Sequence, residues 1–189
     1  MSRKLEEMNV DELGKLFPII ITEHNPEWKK LYELEKIKIE DVVGENIIRI
    51  SHYGSTAVPG LPAKPTVDIL IEISNETDID DFILKIESIG YHYSLQPKNP
   101  APHMMFMKGY SQNGFEGQTF HVHVRYNGDW DEIYFRDYLI LHEEVAKEYG
   151  ILKFELKDRF ENDREAYTQG KTEFIERVTF LARKELKKQ

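Results

Sequence analysis

Residues 66–73, Thr-Val-Asp-Ile-Leu-Ile-Glu-Ile, leave this chain little choice of fold. A short run rich in β-branched side chains predicts a strand. Successive residues of a strand point to opposite faces. Val67, Ile69, Ile71 and Ile73 therefore make one apolar face that demands a core. Asp68, Leu70 and Glu72 take the other face, and a carboxylate on such a strand needs a partner. The segment before it, "HYGSTAVPGLPAKP" (52–65), combines a Gly-Ser turn with three prolines and one lysine. Gly54 lets an anion approach the backbone closely. Ser55 and Thr56 add hydroxyl donors. Lys64 is either a solvated loop lysine or a cation held in place by its neighbouring prolines.

The flanking segments predict an α+β fold. "IIIT" (19–22) reads as a short strand after a polar lead-in over 1–18. Asn25-Pro26 reads as an N-cap and first helical position. The helix runs to about Val43, with Trp28, Leu31, Tyr32, Ile39, Val42 and Val43 as its apolar stripe. Strands are expected at 47–54, 66–73 and 91–96, and a helix at 78–90 ends at Gly90. "HMMFMKGY" and "QTFHVHVRY" form a hairpin around "SQNGFEG". The three methionines of the first segment read as strand packing. Asp129 with Glu132 resembles a capping box. Three helices follow, at about 130–149, 151–167 and 171–187. The expected architecture is one domain over 19–189. Its mixed or antiparallel sheet has helices on one side and a helical C-terminal part from about 129.

Composition excludes several classes. A net charge of −9 argues against non-specific nucleic-acid binding. The chain has no cysteine, so disulfides, thiolate metal sites and cysteine nucleophiles are out. No run has the length of a membrane-spanning helix, and the first residues do not read as a secretory signal. The expected compartment is the cytoplasm. Neither a Walker loop nor a dinucleotide fingerprint occurs, and Ser55 lacks the elbow of a serine hydrolase.

The loop and strand together carry a resemblance. A strand, a Gly-Ser turn, about a dozen residues and then an Asp on the next strand resembles the nucleotidyltransferase superfamily. More closely, the chain resembles the GrpB family of small bacterial proteins. The motifs are Gly54-Ser55-Thr56, Val58-Pro59-Gly60-Leu61, Ala63-Lys64-Pro65 and Asp68-Ile69, followed by "FHVHV" (120–124), "FRDYL" (135–139), "EYGILK" (148–153) and "YTQGKTEF" (167–174). The likeness covers residues 19–183. It implies a nucleotidyltransferase-type sheet and a nucleotide or other small phosphorylated ligand. Related domains fused to dephospho-coenzyme A kinase point the same way.

The superfamily pattern also implies acids at i and i+2 on one strand, holding two magnesium ions. Here i+2 is Leu70. Glu72 lies on the same face but roughly 13 Å along the strand, whereas paired metals sit only about 3.5–4 Å apart. At most one divalent ion is therefore expected. His121 and His123, with Arg125, share a strand face. With Asp68 they supply two imidazoles and a carboxylate, a set that suits Zn, Mn or Fe better than Mg. Alternatively they form a polar patch or contact phosphate directly. Arg49 and His52 precede the Gly-Ser turn, and Arg49 either reaches the site or pairs with an acid. Lys153, Tyr167 and Lys171 close a phosphate pocket or are solvated. Arg136-Asp137 reads as a surface ion pair. Three functions stay open: transfer of a nucleotidyl or phosphoryl group, a non-catalytic nucleotide- or metabolite-binding module, and a single-metal hydrolase using Asp68, His121 and His123.

Overall fold

The computed structural model describes residues 7–186. The first six residues of the polar lead-in and the last residue of the expected final helix lie outside that range. The sheet is built from β1 (Ile47–Tyr53), β2 (Thr66–Ile73), β3 (His92–Leu95), β4 (Met104–Ser111) and β5 (Gly114–Tyr126), in the order β1-β2-β5-β4-β3. Only β2 and β5 run parallel; the other neighbours are antiparallel. The α+β class and the strands expected from residue 47 onward agree with this structure.

The alternation in β2 decides which face is core. Val67, Ile69, Ile71 and Ile73 are fully buried with Val122, Val124, Met104 and Phe106. Two helices, α2 (Glu27–Val43) and α3 (Ile79–Glu87), cover this face through Trp28, Tyr32, Ile39, Val43, Phe82 and Ile86. Asn25 caps α2 from one residue farther out than expected, its Oδ1 accepting from the Glu27 N–H at 3.0 Å. Asp78 caps α3.

The second face carries the polar set. It is separated by a cleft from the C-terminal helices α4 (Asp131–Leu141), α5 (Glu143–Phe160), α6 (Arg164–Gln169) and α7 (Thr172–Leu186). The loop after β1 joins the two halves. Val58 and Leu61 are buried against Leu139, Ala146, Tyr149, Phe174 and Val178. Lys153 of α5 donates to the Pro62 carbonyl. The short helix α1 (Val10–Leu16) is closed by a capping box of Asn9 and Glu12. Just beyond it, Phe17 packs edge-on against Tyr110 and Phe115.

Several local expectations need correction. Residues 19–22 make one isolated bridge, Thr22 to Ala63, instead of a strand. The β4–β5 hairpin is tighter than the turn-rich composition suggests, because strand pairing continues to Ser111 and Gly114. Asp129 does not cap α4. Its carboxylate is taken by Arg183 at 2.7 Å, and Trp130 occupies the cap position without a side-chain capping bond. The helical region holds four helices, with breaks at His142 and after Phe160. Helical periodicity runs through such breaks, since a short turn need not disturb an apolar stripe.

Glu72 is fully buried. It accepts from Arg49 Nε and from the Gly128 N–H at 3.1 Å. It thus ties the end of β2 to β1 and to the turn after β5. Glu72→Ala removes an acceptor from both donors, and such losses cost about 2 kcal/mol. Urea denaturation should show a lowered midpoint with an unchanged slope.

Candidate active-site cleft

The parallel β2–β5 pairing sets Asp68 beside His121 and Leu70 beside His123. Asp68, His121 and His123 each offer a ligand atom, and these atoms lie within 4.8 Å of one another. His121 Nδ1 is 3.4 Å from Asp68 Oδ1. Two donors of a tetrahedral ion bound at about 2.1 Å have about that separation. The Tyr110 hydroxyl lies 2.7 Å from His121 Nε2, so Nδ1 is left facing the carboxylate. An outer hydrogen bond of this kind is what orients a ligating imidazole. His123 Nδ1 is buried and has no hydrogen-bond partner among the described residues. The donor set therefore fits one divalent ion with a taste for nitrogen. Leu70, where a second acid would be needed, is buried.

Electrostatics act differently on Asp68 and His123. Burial pushes the Asp68 carboxyl up, but its hydrogen bond to His121 and the charges of His121, His123 and Lys64 outweigh this and hold it below the ordinary value. Burial drives His123 down to about 4, which keeps its imidazole neutral at physiological pH. Tyr53 and His123 meet edge to face at the cleft floor.

Gly54 closes over the carboxylate. Its φ is +71°, a conformation that favours glycine. A Cβ there would sit 2.5 Å from Asp68 Oδ2. The glycine is thus required twice, by its own backbone and by the acid beneath it. Ser55 lines the cleft beside it. Thr56 also lines it but is largely buried, its hydroxyl 3.0 Å from His52 Nε2.

The C-terminal helical part and the loop before β2 supply the opposite charge. Lys64, Lys153, Arg164 and Lys171 all line the cleft. Lys64 and Lys171 lie 5.5 and 4.7 Å from the centre of the Tyr167 ring. Lys153 lies 4.8 Å from that of Tyr149. None of the four pairs with a carboxylate among the described residues; Arg164 donates to the Phe17 carbonyl at 2.9 Å. Burial and mutual repulsion lower Lys64 and Lys153 to about 7. Burial, with Arg164, lowers Lys171 to about 8 against the pull of Asp68. Shielded cations without acids favour an anionic ligand. The cleft measures about 950 Å³, within the size range of small-molecule sites.

Of the residues singled out from sequence, the cleft brings together Gly54, Ser55, Thr56, Lys64, Asp68, His121, His123, Arg125, Lys153, Tyr167 and Lys171. Arg125 is buried, with its Nε unpartnered and Glu132 3.4 Å from its terminal nitrogen. Arg49 and His52 are not among the lining residues. Arg49 pairs with Glu72, and His52 stacks on Tyr32 under the loop. Arg136 pairs with Asp137 as expected and also donates to the His52 carbonyl at 2.8 Å. Sequence reasoning missed Tyr53, Tyr110, Tyr149 and Arg164. Tyr53 and Tyr149 each sit inside or beside a motif that was read for another residue. Nothing in the local pattern distinguishes Arg164 from other helix-start arginines.

A mixed α+β sheet with a glycine-capped carboxylate thus faces a cation-lined helical side across one cleft. The chain belongs to the GrpB family, whose profile, described as GrpB protein, matches residues 18–180. It is 32% identical over 163 residues to the glutamate-rich protein GrpB of Alkalihalophilus pseudofirmus, covering 85% of this chain and 93% of that one. A crystal structure of a conserved protein GrpB from Enterococcus faecalis superimposes with a TM-score of 0.78 at 29% identity, covering 88% of this chain and 99% of that one. A dephospho-CoA kinase of Mycolicibacterium paratuberculosis is 23% identical, covering 82% of this chain but 43% of that protein. No helix among the described residues is long and apolar enough to cross a membrane.

Two outcomes test the cleft. An anion is held by protonated lysines, and those of the wall lose their protons between about pH 7 and 8. Phosphate affinity measured by calorimetry should therefore be highest below about pH 6, where these lysines are charged, and should fall as pH rises through 7 and 8. Gly54→Ala should displace the Asp68 carboxylate and cost about 1 kcal/mol in backbone strain. Its signature is a small drop in denaturation midpoint together with weakened Mn binding.

Proposed function

We propose that the cleft binds a nucleotide or other small phosphorylated metabolite, with nucleotidyl or phosphoryl transfer as the associated chemistry. The observation that carries this reading is the opposition of two charge sets across one cleft: Asp68, His121 and His123 on the sheet, and four acid-free cations on the wall. Lys64, Lys153, Arg164 and Lys171 would hold phosphate oxygens and offset their charge. Gly54 and Ser55 would let phosphate approach the turn. Asp68 with His121 and His123 would hold one divalent ion. Such an ion polarises a phosphoryl oxygen and draws charge away from it. The reading draws further support from the dephospho-CoA kinase that matches 82% of this chain at 23% identity.

Leu70 favours a second reading. A single-ion site with a buried leucine in place of the second acid suits a module that binds the same ligand without turning it over. A single-metal hydrolase built on Asp68, His121 and His123 needs the same ion and is tested with it.

Mn or Zn titrated into the protein should bind at a ratio near one. Asp68→Asn should abolish binding, and His121→Ala should weaken it about tenfold or more. Assay of transfer from nucleoside triphosphates with Mn and with Mg then separates the readings. Turnover that is lost in Asp68→Asn supports the transferase; ligand binding without turnover supports the module. Absence of both metal and nucleotide binding would remove the proposal.

A further inference from the structure

A second cavity of about 230 Å³ opens beside the cleft. Its walls are mainly apolar: Pro18, Ile20, Tyr110 and Phe115. Lys64, Thr66 and Arg164 line both spaces. Two of the four cations thus stand at the junction of a polar cleft and an apolar annex.

The annex is a built feature of four separate parts of the chain. Phe17, Tyr110 and Phe115 form a triangle of rings with centroids 5.2, 5.3 and 5.7 Å apart. Tyr110 and Phe115 turn toward the annex while Phe17 is buried behind them. Ile20 and Phe115 nevertheless keep 43% and 40% of their surface exposed. Apolar walls left open next to fixed polar groups are the composition of a small-molecule pocket. Position on the strand gives the direction. Thr66 precedes Asp68 by two residues on the same face of β2, a step of about 7 Å. A group at the junction has the ion-binding set on one side and the annex on the other.

We infer that the ligand is an organic phosphate whose apolar, ring-bearing part occupies the annex, with its anionic group held at the junction by Lys64 and Arg164. This rests on the anion-binding reading above and adds the orientation of the ligand. The phosphate end faces Asp68. The organic end lies against Tyr110 and Phe115, where a planar ring gains from aromatic contact as well as from leaving water. Tyr110 also touches His121, so an occupant of the annex packs against the residue that orients that imidazole.

The test titrates inorganic phosphate, phenyl phosphate and phenol into the full chain by calorimetry at pH 6.5. Methyl chemical shifts of Ile20 are followed in parallel. Phenyl phosphate should bind about tenfold more tightly than phosphate, the gain expected from burying one ring, and should move the Ile20 methyl signals. Phenol should bind weakly. Ile20→Ser and Phe115→Ser should each remove most of the gain and leave phosphate binding unchanged. Phosphate binding with no gain for phenyl phosphate overturns the annex and leaves the anion site standing. A gain that leaves the Ile20 signals still, or that survives both substitutions, also overturns the annex, because it places the ring elsewhere. Failure of phosphate itself to bind removes the anion site, and the annex falls with it.

Discussion

The parallel contact between β2 and β5 is the constraint on which the rest of the molecule depends. It is the single parallel pairing in a sheet otherwise antiparallel. Parallel neighbours cannot be joined by a tight turn, so the chain must leave β2, pass through α3, β3 and β4, and return. That excursion brings Asp68 level with His121 across adjacent strands. A slip of one residue would turn the histidines into the apolar core and Val122 into the cleft. The register is secured by the core itself: Val67, Ile69 and Ile71 on one strand and Val122 and Val124 on the other are fully buried on the opposite face. The packing that stabilises the fold is therefore also what aligns the polar site.

Placing a carboxylate at this point has local consequences. Gly54 lies so close above Asp68 that a side chain there would collide with it. The loop that follows is held from both sides. Arg136 grips the His52 carbonyl before the turn, and Lys153 grips the Pro62 carbonyl after it. Between these anchors Val58 and Leu61 enter the apolar cluster of the helices. The prolines limit what the loop can do even before it packs. Its stiffness lets Lys64 remain in the cleft although burial opposes its charge.

The charge distribution runs against the composition. The chain carries a net charge of −9, yet its main cleft has a wall of lysines and one arginine. Net charge describes the average surface; recognition depends on what a particular concavity collects. The acids that could neutralise these cations are engaged elsewhere. Among the acids that line the cleft, Asp129 and Asp131 are tied to Arg183 and Glu132 to Arg125. Asp68 is the exception. It faces the cationic wall across the cleft, too far to form an ion pair with it but near enough to influence Lys64 and Lys171.

Strands were legible because alternation is a short-range property with one dominant period. The segments 47–54 and 66–73 could be placed to within a residue, and period two put His121 and His123 on one face of their strand, while the β2–β5 register set Asp68 beside them. Helix breaks were not legible, since the apolar stripe continues across His142 and the cap at Asp129 competes with a salt link to Arg183. Arg49 and Arg125 looked alike as strand arginines; only their neighbours across the sheet sent one to Glu72 and the other to the cleft wall. The sequence by itself determined the α+β class, the core face of β2 and the types of group available for chemistry. Tertiary structure decided which of those groups meet. Arg164 joins the site through a contact spanning most of the chain and Tyr110 through the β4–β5 pairing, and no local pattern encodes a distance between residues that only folding brings together.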